Sequence, residues 1–186
     1  MKKGMRILVQ LSKGEEETDT AEMYHELYFN HDELCEKFIK KTGIKATDFD
    51  EKNINNWFEV IEERVAVLKK QSYEQSKWEL VEMAAFLGNQ LVKYLDGEWY
   101  HFVSKDHESC SIINCNTAYS CTNCLKVLVG GYTKNGMDWV KEIFLERCKK
   151  KIVKNSYNIS KMWLQYNIGN LKDAVDIDGH VNQFIC

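Results

Sequence analysis

Between Tyr73 and Leu95 two apolar stripes run side by side: Trp78, Val81, Ala85, Gly88, Val92 and Leu95, and Leu80, Ala84, Leu87, Leu91 and Tyr94. Each advances by three or four residues, the spacing that keeps side chains on one face of an α-helix. A helix with a single stripe rests on a surface, whereas two adjoining stripes need apolar neighbours on more than one side. The pattern therefore predicts a helix near the centre of a core, with the rest of the chain packed around it. Gly88 in its interior costs about 1 kcal/mol relative to alanine, and close approach by another element is its expected reason. Asp96-Gly97 ends the segment, with Gly97 expected to take the left-handed conformation.

Two helices are expected before it. From about Thr20 to Thr42, Met23, Leu27, Leu34 and Phe38 recur at helical spacing, with Glu22, Glu26, Glu33 and Lys37 turned outward. Thr18 or Asp19 is the expected cap and Gly43 the stop, and the polar run Asn30-His31-Asp32 is expected to break this helix in two. Thr47 with Asp50 resembles a capping box and opens a second helix through Ile54, Trp57, Phe58, Ile61, Val65 and Leu68, ending near Gln71. A first strand is expected at residues 5–11. Trp99–Val103 and Ser111–Ile113 read as two more strands, joined by a polar connection. Cys124–Val129 is open between a buried strand and a short helix capped by Ser120 or Thr122. After Gly130-Gly131, Asp138 is expected to cap a helix bearing Trp139, Val140, Ile143, Phe144 and Leu145, whose last turn is basic, Lys149-Lys150-Lys151. The tail from Ser156 is left without assignment.

The predicted class is α+β: an N-terminal helical block packed on a small, mainly antiparallel sheet, with further helices C-terminal to it. A chain of 186 residues with 44% apolar content suits one domain over residues 1–186, its acidic helical part about 1–97 and its mixed part about 98–186. No run of eighteen apolar residues marks a membrane span. Met1–Leu11 is too short, and too soon interrupted by Gln10, for a signal peptide, so the expected compartment is the cytoplasm, with the seven thiols reduced.

Charge divides the chain. Residues 1–100 carry 14 basic and 20 acidic groups, residues 101–186 carry 11 and 8, so the first part is negative and the second mildly positive. A net charge of −3 argues against a generic nucleic-acid binder, and Lys149-Lys150-Lys151 is too short to reverse that. Glu15, Glu16, Glu17 and Asp19, followed by Glu22 and Glu26, form one negative patch; Asp48, Asp50 and Glu51, with Glu59, Glu62 and Glu63, form a second. Acidic residues favour helix N-termini, which accounts for part of this. The functional reading is a surface that steers toward a basic protein partner.

No nucleophile elbow, zinc-protease helix, Walker loop or dinucleotide fingerprint is present. Cys110, Cys115, Cys121 and Cys124 crowd together, and two pairs of cysteines can hold zinc. Only five residues separate Cys115 from Cys121, far fewer than in a zinc ribbon. Buried small side chains are the simpler account, so no cofactor is expected, and a zinc-stabilised adaptor on these four cysteines is the alternative. Alternation along the Trp99 strand puts His101 on the core face, as a structural histidine; a hydrolase built on His101 and the first-half carboxylates is a second alternative.

The segment Ala85-x-Leu87-Gly88-x-x-Leu91-Val92-x-x-Leu95-x-Gly97-x-Trp99, followed by Ser111-Ile112-Ile113, resembles a pattern in small bacterial domains of unknown function grouped with the immunity proteins of polymorphic toxin systems. The resemblance covers roughly residues 78–130, and its shared positions are packing residues, so no functional residue carries over. Those domains continue with an asparagine-proline pair; this chain has no proline, and Cys115-Asn116 stands in that place. The resemblance implies a protein that binds and neutralises one cognate toxin without turnover. The acidic balance fits a nuclease toxin, whose cleft is basic.

Overall fold

The computed structural model describes residues 5–6, 20–103, 108–113, 121–149 and 175–176. Helix α1 (Ala21–Thr42) starts at Thr20, whose hydroxyl accepts from the Met23 N–H at 3.4 Å, one residue after the expected caps. It ends at Gly43, which lies in the left-handed region at φ 72° and donates its N–H to the Ile39 carbonyl. The polar interruption does what its composition predicts: Asn30 leaves helical geometry at φ −122°, ψ 18°, and α1 kinks there. Helix α2 (Glu51–Leu68) is capped by Asp50 rather than Thr47, the Asp50 carboxylate accepting from the Asn53 N–H at 2.8 Å. The delay has a packing cause. Phe49 is buried and stacks on Tyr94 at 4.7 Å, so the chain must bring Phe49 inward before the helix can begin.

Helix α3 (Tyr73–Leu95) is the centre that its two stripes require. Every residue from Leu80 to Gly88 is buried, acidic Glu82 included. Helices α1 and α2 supply Phe38 and Trp57, whose rings meet Phe86 of α3 at 5.7 and 5.5 Å. The left-handed residue after α3 is Asp96 (φ 51°, ψ 47°), not Gly97. Leu95 is the last side chain the helix buries, so the turn falls on the next residue, and aspartate is among the few types that tolerate that conformation.

The sheet follows, built from β2 (Glu98–Val103), β3 (Glu108–Ile113) and β4 (Cys121–Thr122), with β1 (Met5–Arg6) and β5 (Val175–Asp176) on the far side of β2. Its order is β4-β3-β2-β1-β5, antiparallel except where β1 runs parallel to β2. Trp99 pairs with Ile112 and His101 with Cys110. Directly paired residues share a face, and this one is buried against the helices. Gly88 is where sheet and helix meet: a Cβ added there would overlap the six-membered ring of Trp99 and lie 3.1 Å from Ile112 Cδ1. Close approach is thus its reason.

Cys124–Gly130 is a helix, α4, capped by the Asn123 side chain, which accepts from the Lys126 N–H at 3.0 Å. It buries Leu125, Leu128 and Val129. A π-helical turn, Gly131–Asn135, leads into α5 (Met137–Lys149), which begins one residue before Asp138, so that Asp138 sits in its first turn. The protein is α+β: among the described residues, three helices, a small mainly antiparallel sheet, and two further helices. Among the described residues no helix is long and apolar enough to cross a membrane. Residues 7–11, Lys150-Lys151 and the tail apart from β5 lie outside the described residues.

Candidate functional site

A cleft of about 550 Å³ lies beside the kink of α1, between α1, the C-terminal half of α3 and the start of β2. Its wall is a closed loop of contacts. The His31 ring stacks on Trp99 at 5.4 Å and 24°, and His31 Nδ1 lies 3.1 Å from Asp32 Oδ1. That same oxygen accepts from Asn89 Nδ2 at 3.0 Å, and Asn89 Oδ1 accepts from the Trp99 indole N–H at 2.9 Å. Four side chains from three elements therefore fix one another, and Asn89 is the joint. Replacing Asn89 with alanine should cost about 1–2 kcal/mol, since it strands the indole donor; chemical denaturation measures it, and a shifted Trp99 emission should accompany it.

Cys35 lines the same cleft. Burial pushes its thiol up, with Asp32 and Glu36 adding to the push, while a hydrogen bond with Asn89 and the charge of Lys93 only partly offset it. A thiol held in that direction stays protonated at neutral pH and is not an activated nucleophile. Among the described residues the cleft is rimmed by Asp32, Glu36 and Glu98, with Lys93 as the cation in its lining. It combines this negative rim with a partly apolar floor of Ile39, Val92 and Trp99.

Sequence reasoning did not assemble this site. It treated Asn30-His31-Asp32 as a helix break and passed over Asn89, a polar residue beside the stripes of α3. A polar triplet at a break, a polar residue in the central helix and a tryptophan just past its end were the available signals. Glu15, Glu16, Glu17 and Asp19 lie outside the described residues. Glu22 is exposed in the first turn of α1 and Glu26 is half-buried, while Asp48, Asp50 and Glu51 are exposed around the start of α2. Asp50 has a structural task, holding Asn53 through both its main-chain and its side-chain N–H.

Cys110 and Cys124 are both fully buried, near enough that Cys124 adds to the upward shift that burial imposes on the Cys110 thiol. Cys121 is in β4, and Cys115 lies outside the described residues. Among the described residues no group of three histidine, cysteine, aspartate or glutamate side chains could hold a metal ion. His101 is buried, stacked on Tyr28 at 5.0 Å with Phe29 edge-on at 5.9 Å.

Three cations of α1 and α2, Lys37, Lys41 and Arg64, pair with carboxylates of α3. Glu82, 3% exposed, takes Lys37 on one carboxylate oxygen at 2.8 Å and Lys41 on the other at 2.5 Å. Glu79 takes Arg64 on both oxygens, at 2.7 and 3.1 Å, and Lys41 at 3.1 Å. Burial alone would raise the Glu79 carboxyl, but the hydrogen bonds from Arg64 and Lys41 and their charges outweigh it and hold it below its ordinary value of 4.5. A carboxyl depressed by folding stabilises the native state above the unfolded value, and that contribution disappears as pH falls through the folded one. Stability should therefore drop below about pH 4.5, and Arg64→Ala should flatten that slope in unfolding curves taken between pH 6 and 3.

These features define a small α+β domain with an acid-rimmed surface cleft beside its central helix. No protein-family model, no curated protein and no solved structure matches the chain.

Proposed function

We propose that the protein is a binding protein of the immunity type, acting in the cytoplasm, which neutralises a bacterial toxin by covering its basic functional surface, without turnover. What carries the reading is the placement of charge. Residues 21–71 contain eleven acidic and eight basic side chains, and three of the eight, Lys37, Lys41 and Arg64, are drawn onto Glu79 and Glu82 of α3. The exposed carboxylates of α1 and α2, among them Glu22, Glu33, Asp48, Glu51, Glu59 and Glu63, are left without an ion pair among the described residues. A surface of one sign raises the encounter rate with a partner of the other sign and disfavours like-charged competitors. A nuclease toxin, basic where it holds its substrate, is the partner this surface fits, and the resemblance of residues 78–130 to immunity-associated domains points the same way.

The test is direct. The tagged protein is mixed with the product of each adjacent open reading frame, and the captured product is assayed for toxicity with and without it. One neighbour should bind and lose its activity, with an association rate that falls about tenfold or more between low and physiological salt as the carboxylates are screened. If no neighbour binds, the reading is wrong.

A further inference from the structure

Phe29 is the most exposed large apolar side chain among the described residues, 47% accessible, one position before the kink of α1. It sits within an aromatic platform: the His25 ring lies 4.6 Å from it, Tyr28 meets it edge-on at 5.0 Å, and His101 does so at 5.9 Å. Tyr28 and His101 are buried and seal the underside, while Phe29 and His25 face water. On β2, His101 and Trp99 are two residues apart on one face, a separation of about 7 Å. Phe29 lies against the first and His31 against the second. The platform and the cleft are therefore neighbours on one surface.

Negative charge flanks this anchor on both sides of the kink. Glu22 and Glu26 stand seven and three residues before Phe29 in the same helical segment, the spacings that share a helix face, and Glu33 and Glu36 follow in the segment beyond Asn30. None of the four makes an ion pair among the described residues; the charge of Lys37, itself paired with Glu82, reaches Glu26 and Glu33, and Lys93 lines the cleft. A second copy of this chain would bring the same carboxylates face to face, so self-association here is opposed by like charge.

Resting on the binding function proposed above, we infer that this face of α1 and the adjoining cleft are the docking surface, and that its occupant is a protein with an apolar pocket ringed by lysine and arginine. Phe29 enters the pocket, and the surrounding carboxylates, with Asp32 and Glu98 at the cleft, pair with the basic ring. The arrangement matches the usual anatomy of an interface, an aromatic anchor at the centre and a charged rim around it.

Four single variants test it: Phe29→Ser and Glu36→Lys on the proposed surface, and, as controls of equal chemistry, Val67→Ser on α2, where Val67 is 41% accessible, and Glu142→Lys on α5. All four positions are exposed, and thermal melts confirm folding before binding is measured. The probe is the adjacent open reading frame product that the wild-type protein captures, titrated by calorimetry. Both surface variants should bind at least about tenfold more weakly, and the controls within about twofold. Wild-type affinity in either Phe29→Ser or Glu36→Lys overturns the docking surface and leaves the proposed function standing. Capture of no neighbour by the wild type removes both together.

Discussion

Gly88→Ala should destabilise the protein by about 3 kcal/mol, although alanine is the better helix former by about 1 kcal/mol. The Cβ would overlap Cζ2 and Cη2 of Trp99, with Ile112 Cδ1 next at 3.1 Å. Room for it requires the indole to move, and the indole is held twice, by its N–H bond to Asn89 and by the His31 ring stacked on its face. Moving it breaks one or both, so the steric cost and the cleft are coupled. Trp99→Phe removes the ring atoms that collide, at the expense of the indole hydrogen bond. The double variant Gly88→Ala/Trp99→Phe should therefore be more stable than the sum of the two single losses by about 1–2 kcal/mol. Additive losses in urea denaturation would mean that the helix and the sheet are free to part at this point.

That Gly88 had a packing reason was legible from the sequence, because a glycine between two apolar stripes has few other uses. The identity of its neighbour was not, since Trp99 reaches it only through the turn at Asp96 and the tilt of β2. The same division holds elsewhere. Periodicity places α1 and α3 within a residue and α2 within three residues at each end, because one apolar face per turn is a local property. The capping shift at Asp50 comes from a tertiary demand, the need to bury Phe49. Short apolar runs carry no period long enough to decide between states, and Cys124–Gly130 became a helix through the Asn123 cap. The cleft was the least legible part. His31, Asp32, Asn89 and Trp99 span 68 positions of the chain, and only the kink at Asn30 together with the packing of α1 on α3 brings them to one place. Acidic composition was legible as a total, but not its direction. That Lys37, Lys41 and Arg64 turn toward Glu79 and Glu82 follows from two carboxylates buried on the central helix, which the stripes alone do not reveal.

Those two carboxylates set the other large effect. Lys37→Met/Lys41→Met should cost about 4 kcal/mol, since it leaves the Glu82 carboxylate in the core with neither of its counterions. Each of its oxygens currently has its own ammonium, and at 3% exposure water cannot replace them. The single variant Lys37→Met should cost only about 1 kcal/mol, because Lys37 is 62% exposed and Lys41 remains. Adding Glu82→Leu to the double variant should restore most of the loss, as a buried ion pair replaced by an apolar side chain of similar volume is often neutral or stabilising. The order of stabilities is what distinguishes the explanations. If loss of the packing of the lysine stems were responsible, methionine would keep most of it, the double variant would unfold near the wild type, and Glu82→Leu would bring no recovery. If the stranded charge is responsible, the triple variant unfolds well above the double. Glu79 stays paired with Arg64 in every variant, so the network divides into a half at Glu79 that the variants leave in place and a half at Glu82 in which two lysines of α1 neutralise one buried carboxylate.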